Sequence, residues 1–263
     1  MLLENKIAVV YGAGGSIGGE VARAFAEEGA QVYLTGHVLG PVEAVAADIR
    51  AAGGFAEAAQ VDALDEDGID RHLQSMVDRA GRVDISFNAV GIPDAGVIGV
   101  PLVEMDVKQF ARPIDDYVRS YFLTARLAAR RMSQTGSGVI MRVTALHSRM
   151  GLPLVGGYGP AMAALEALTR DLSAELAPRG IRVVGIRPQA MPESSTIREA
   201  FEPRAAATGL TWEQWEELLA SRTHPRRLMS LHEMAGVATF LASDRASGLT
   251  GTIVNLTMGS LDD

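Results

Sequence analysis

The chain has 263 residues, carries 24 Lys plus Arg against 32 Asp plus Glu, and contains no Cys. A formal charge of -8 excludes a dominating basic surface of the kind that gathers nucleic acid or anionic lipid, so the expected partner is a small-molecule substrate, with no nucleic acid and no membrane. Without cysteine there is no disulfide, thiolate metal site or cysteine nucleophile, which suits a reducing, cytoplasmic setting, and the length predicts one domain over 1–263.

The opening stretch MLLENKIAVVYGAGG is too short in apolar residues for a signal-peptide core, and no later segment reaches membrane-spanning length. Short apolar runs at 6–11, 31–35, 55–61, 83–88, 139–144, 181–186 and 252–256 read as strands. Between them lie helical patterns. Val21, Ala22 and Phe25 share one face, Ile69, Leu73, Met76, Val77 and Ala80 a second, and Phe110, Ile114, Tyr117, Val118, Tyr121 and Ala125 a third. After Tyr158 a stripe of Ala161, Leu165, Leu168, Leu172 and Leu176 predicts a long helix that Pro178 and Gly180 stop. Alternation of this kind builds an α/β protein with a doubly wound, parallel, seven-stranded sheet and helices on both faces. The stretch 189–225, with Pro192, a Ser-Ser-Thr cluster, Pro203, Trp212 and Trp215, breaks the rhythm. It reads as a small helical lid or substrate loop within the same domain. The five histidines show no pairing with carboxylates at ligand spacing, so no metal site is expected.

Directly after the first strand comes Gly12-Ala13-Gly14-Gly15-Ser16-Ile17-Gly18, opening a helix. Glycines let a backbone turn tightly and approach a pyrophosphate, while the N–H groups of a helix start supply positive potential. Gly12, Gly14, Ser16, Ile17 and Gly18 are therefore candidate dinucleotide-binding residues, against the alternative of a structural turn.

The order of features resembles the short-chain dehydrogenase/reductase family over nearly the whole chain. The glycine turn resembles its first motif, with Ser16 in place of the middle glycine and Tyr11 in place of the preceding threonine. Asp62 and Ala63 follow the third strand where the family holds adenine, Asn88-Ala89-Val90-Gly91 resembles its Asn-Asn-Ala-Gly motif, Tyr158 stands at its catalytic tyrosine, and Leu249-Thr250-Gly251-Thr252 with Gly259 resembles its closing strand. Pro188 falls beside the nicotinamide in this comparison. The resemblance implies a Rossmann-like fold, an NAD(P)H cofactor, oxidoreductase chemistry on a carbonyl or alcohol, and a homodimer or homotetramer.

Several positions depart from that pattern. Met162 stands four residues after Tyr158 where the family has lysine, Ala145 thirteen residues before it where the family has serine, and Tyr117 at the family's asparagine. Gln189 replaces the glycine after Pro188, and Glu193 stands near the threonine that touches the carboxamide. Tyrosine titrates near pH 10, so the family's lysine matters for its activity near neutrality, and losing one hydroxyl donor to a carbonyl costs about two to three orders of magnitude in rate. His147, two residues past Ala145, is the candidate to donate to the carbonyl or relay a proton; the alternative is a hydrogen-bonded loop histidine. Arg149 reads as a solvent-facing arginine, against the alternative of a contact to an acidic substrate. After the second strand, Leu34-Thr35-Gly36-His37 presents no carboxylate to a ribose, which permits a 2′-phosphate and with it NADP(H) in preference to NAD(H); His37 stands where a basic residue meets that phosphate in relatives, against the alternative of a surface histidine. Three readings stay open: a nicotinamide-dependent oxidoreductase with Tyr158 and His147 as catalytic groups, an inactive binding or scaffold protein, and a non-redox cyclase, dehydratase or isomerase.

Overall fold

The structure is a computed structural model that describes residues 1–92 and 96–262 and, between 195 and 200, the side chain of Arg198 alone. Ser195 and Thr196 of the Ser-Ser-Thr cluster thus have side chains outside the described residues. Seven parallel strands form one sheet: β1 (Ile7–Tyr11), β2 (Gln31–Gly36), β3 (Phe55–Gln60), β4 (Ile85–Asn88), β5 (Gly138–Val143), β6 (Ile181–Pro188) and β7 (Thr252–Leu256). Their spatial order is β3-β2-β1-β4-β5-β6-β7. All seven predicted strands are present. The sixth runs two residues further than its apolar run, because Arg187 and Pro188 continue the pairing with Asn255 and Leu256 of β7.

Helices cover both faces. Val10 and Ala8 pack with residues of α1 (Ser16–Glu27), α2 (Leu39–Ala51) and α8 (Leu231–Ala242), whereas Ile7, Val9 and Tyr11 pack with α3 (Glu66–Ala80), α4 (Val107–Thr135) and α5 (Tyr158–Leu176). The alternation follows from the period of two along a strand. Coverage on both sides explains why every residue of β1 is buried and why these strands read as unbroken apolar runs. The strand order reverses between β1 and β4, the crevice at which open α/β sheets receive ligands.

The inward face of α5 differs from its predicted stripe. Ala161, Met162, Leu165, Glu166, Thr169, Ser173 and Leu176 are buried, while Leu168 and Leu172 are only partly so. Polar residues can take the inner positions because each finds a partner there: Thr169 with the Tyr121 hydroxyl at 3.1 Å, and Ser173 with Thr250 at 2.7 Å. At the start of α5 a Cβ on Gly157 would collide with the Phe110 carbonyl oxygen. Glycine therefore lets α5 close onto α4 and brings Tyr158 against Tyr117.

The segment 189–225 contains α6 (Ser195–Ala207) and α7 (Trp212–Ser221). Pro203 lies inside α6 instead of ending it; Ala205, Trp212 and Trp215 form a separate apolar cluster that holds the two helices together. Among the described residues no helix is long and apolar enough to cross a membrane, and no group of three or more His, Asp or Glu is arranged to hold a metal.

Candidate active site

A cavity of about 660 Å³ opens beyond the carboxyl ends of six strands, lined in turn by Gly12, Gly36, Val61, Ala89, Thr144 and Pro188. At one end sits the glycine turn. Gly12 has φ +75°, and a Cβ there would lie 2.7 Å from the Ala89 carbonyl oxygen. A Cβ on Gly18 would collide with the Gly12 oxygen, so these two glycines are required by packing alone. Gly15 is different: its Cβ would meet only the Gly12 oxygen, at 3.4 Å, and as the residue before α1 it supplies no side-chain cap. The first-turn amides of Ser16, Ile17 and Gly18, all on the cavity wall, thus have no side-chain acceptor from Gly15, as an anion-binding helix start requires. A dinucleotide pyrophosphate fits this cradle.

The flanking positions behave unequally. His37 is exposed at the end of β2 and lines the cavity, as do Asp62 and Ala63 past β3. Asp62 accepts a hydrogen bond from the Leu64 amide at 2.9 Å, which shapes that turn. Ala89 and Val90 also line the cavity, but Asn88 does not. Its amide is buried, donates to Ser120 Oγ at 3.2 Å and Thr124 Oγ1 at 2.9 Å, and its Oδ1 accepts the Val90 N–H at 3.0 Å. Asn88 therefore corrects the expectation of direct contact: it holds the Ala89–Val90 wall in place from behind. Glu193 also turns away, accepting the Leu231 N–H at the start of α8 at 2.7 Å. Ser194, buried and on the cavity wall, takes the place expected of it. Gln189 is tied to Ser260 at 2.5 Å.

At the opposite end Tyr158, the first residue of α5, faces His147, with 5.2 Å between ring centroids, and Tyr117, with 5.8 Å. His147 is sandwiched on its other side by Phe201 of α6, stacked at 5.3 Å. Both imidazole nitrogens are buried and have no hydrogen-bond partner among the described residues. Burial, helped by the Arg204 charge, pushes the His147 pKa down to about 3. At neutral pH the ring is a neutral donor and acceptor, not an imidazolium acid. Ala145 and Met162 line the same wall, and Arg149 is exposed, as its position suggested.

Two buried cations escaped the sequence reading. Arg142, near the carboxyl end of β5, donates to the Asn88 side-chain oxygen, to the Asn88 carbonyl at 3.3 Å and to the Val90 carbonyl at 3.2 Å. Its guanidinium lies 5.4 Å from the Tyr117 ring centroid and borders the cavity. Burial draws it below the usual arginine range, while Tyr117, Tyr121 and Tyr158 act in the opposite direction. Arg187, near the end of β6, pairs with Glu166 of α5 through Nε at 2.8 Å and Nη2 at 2.9 Å. The same carboxylate accepts Thr144 Oγ1 at 3.1 Å and Ser148 Oγ at 2.5 Å, pinning both ends of the turn that carries Ala145 and His147. Arg142 carried a signal, a charged residue inside the apolar run 139–144, whereas Arg187 lies just past the run 181–186.

Above this end, α6 and α7 contribute Phe201, Arg204, Trp212, Trp215 and Leu219 to the cavity. The segment expected to act as a lid is thus the wall opposite Tyr158.

A family model described as enoyl-(acyl carrier protein) reductase matches residues 12–260. Among curated proteins, the chain is 28% identical to 7alpha-hydroxysteroid dehydrogenase of Escherichia coli K12, over 99% of this chain and 96% of that protein. It is 31% identical to cis-4-hydroxycyclohexanecarboxylate dehydrogenase of Sinomonas cyclohexanicum, over 95% and 94%. Among solved structures, NAD+-bound xylitol dehydrogenase superposes with a TM-score of 0.91 at 26% identity, covering 98% of this chain and all (100%) of the other. A 7alpha-hydroxysteroid dehydrogenase complexed with NADH and 7-oxo glycochenodeoxycholic acid superposes with a TM-score of 0.86 at 29% identity, covering 99% and 96%.

Proposed function

The chain belongs to the short-chain dehydrogenase/reductase family, whose chemistry is oxidoreduction of alcohols and carbonyls, and from that premise we propose that it interconverts a carbonyl and an alcohol on an apolar small molecule through an atypical catalytic set, with NADP(H) preferred over NAD(H). One observation carries the reading: the glycine cradle and the Tyr158–His147 pair line one continuous cavity. A scaffold that had lost its ligand has no reason to keep the two in register.

A nicotinamide nucleotide bound along Gly12–Gly18 supplies or accepts the hydride. Tyr158 supplies the proton to the substrate oxygen during reduction and recovers it during oxidation. In place of the family's lysine, the Arg142 guanidinium lies on the same side as Tyr158 and Tyr117 and stabilises negative charge on the phenol oxygen as the proton leaves. Met162 fills the lysine position with an apolar side chain and keeps water from that wall. The neutral His147 ring packs against Tyr158 on the side where Ala145 brings no hydroxyl, and turning one of its unpartnered nitrogens toward the substrate oxygen would supply the missing donor. His37 lines the cavity just past β2, where no carboxylate follows the strand, and would be placed to meet a 2′-phosphate, which supports NADP(H). The ring-borne hydroxyls named for the hydroxysteroid and hydroxycyclohexanecarboxylate relatives match a chamber walled by Tyr158, Phe201, Trp212 and Trp215.

The test is a panel of cyclic and aliphatic ketones assayed at 340 nm with NADPH and NADH. Tyr158→Phe is expected to lower kcat by two orders of magnitude or more while leaving NADPH binding within a factor of two. Intact turnover in that variant removes Tyr158 from the chemistry. Product formation with no change at 340 nm supports a non-redox enzyme instead, and cofactor binding with no turnover of any substrate supports a binding protein.

A further inference from the structure

Among the described residues, Arg204 on α6 is a cation without a counter-ion, in a largely apolar chamber. The residue is only 5% exposed, borders the cavity, and forms no ion pair with any carboxylate among the described residues. Its guanidinium lies 4.9 Å from the Trp215 ring centroid, and its Nε is buried with no hydrogen-bond partner. The Trp215 Nε1–H is likewise buried and unpartnered. Burial and the neighbouring Arg222 both draw the Arg204 charge below the usual arginine range, so the fold bears an electrostatic cost here that it does not relieve. The other two buried arginines of the site differ: Arg187 has the Glu166 carboxylate, and Arg142, although its Nε is unpartnered, donates to two carbonyls and an amide oxygen. An unrelieved cation beside an unpartnered indole donor is what an anion site looks like without its anion.

We propose that Arg204, with Trp215 Nε1–H, binds a carboxylate on the substrate, so that the substrate class is an amphipathic keto or hydroxy acid whose apolar body lies between Phe201, Trp212 and Leu219. This rests on the oxidoreductase reading for the reacting end and deepens it for the other. Phe201 stacks on His147 and stands 6.1 Å from Tyr158, ring centroid to centroid. One turn of α6 separates Phe201 from Arg204, about 5–6 Å between Cβ atoms. The carboxylate and the reacting carbon are therefore set apart by about the span of one ring or a short chain, with the aromatic wall between them. Planar, bidentate recognition also explains arginine at this position instead of lysine.

The chain has two tryptophans, Trp212 and Trp215, and both line this chamber, so intrinsic fluorescence reports its occupancy without any turnover. Cyclohexanecarboxylate and its uncharged isostere cyclohexanecarboxamide are titrated into the full chain, with and without NADPH. The carboxylate is expected to bind at least tenfold more tightly than the carboxamide. Arg204→Gln is expected to erase that preference, and Arg204→Lys to retain part of it. Equal affinity of the two ligands, no binding of either at millimolar concentration, or a preference that survives Arg204→Gln would overturn the proposal. Because the wild-type comparison needs no variant, a misfolded substitution does not obscure the answer. If the carboxylate preference is present but NADPH neither binds nor is consumed, the anion site stands and the oxidoreductase reading falls. NADPH-dependent ketone reduction with no carboxylate preference gives the reverse.

Discussion

Protonation of His147 makes the strongest quantitative case, because its cost follows from where its nitrogens sit. The residue is half-buried as a whole, yet both ring nitrogens are out of solvent and unpartnered, and the nitrogens carry the charge. A histidine at about 3 in the folded protein and about 6.5 in the unfolded chain binds its proton only after unfolding over that interval. The sign is therefore loss of stability as pH falls below 6.5, continuing down to about 3, with a slope of about 1.4 kcal/mol per pH unit where the unfolded form is protonated and the folded form is not. By pH 4 the loss from this group reaches about 3 kcal/mol, a large part of the 5–15 kcal/mol typical of a folded domain. His72, pushed down to about 4 by burial and then by Arg79, adds a loss of the same sign. His147→Phe keeps an aromatic ring between Phe201 and Tyr158 and removes the proton. Urea unfolding at pH 7, 6, 5 and 4 is expected to show the wild type losing stability more steeply than the variant, the difference growing by about 1.4 kcal/mol per unit below pH 6. Parallel curves would mean that His147 takes its proton as readily in the folded state as in the unfolded one, and the burial argument for its lowered pKa would fall.

Two further outcomes test other parts of the site. Glu166→Gln removes the buried carboxylate that faces the Arg187 charge and is expected to cost up to about 3–5 kcal/mol in chemical denaturation, whereas Glu166→Leu combined with Arg187→Met recovers most of that loss; a double variant no better than the single one would show that the pair stabilises by more than mutual neutralisation. His37→Asp places a carboxylate beside the ribose position and is expected to weaken NADPH binding at least tenfold by calorimetry with NADH unaffected or improved; equal losses for both nucleotides would place the 2′-phosphate elsewhere.

The sequence alone determined the layered fold and the location of the site. Strand and helix periods differ, so the alternation of apolar runs and helical stripes specifies βαβ units, and a glycine turn between the first strand and helix marks the ligand crevice at the reversal of strand order. Tyr158, His147, His37, Asp62 and the glycine turn could be placed at the cavity because they follow strand ends or open helices, where chain position and spatial position coincide. What needed the tertiary structure were the groups whose role depends on a neighbour distant in sequence. Asn88 looked like a ligand residue and is a brace, because Ser120 and Thr124 of α4 take its amide. Glu166 and Thr169 occupy the inner face of α5 in place of the leucines that periodicity favours, because Arg187 and Tyr121 are there to satisfy them. Arg142 and Arg204 are indistinguishable by residue type from the exposed arginines. Among the described residues one has buried acceptors and the other has none, and a one-dimensional pattern does not record which charges water can reach.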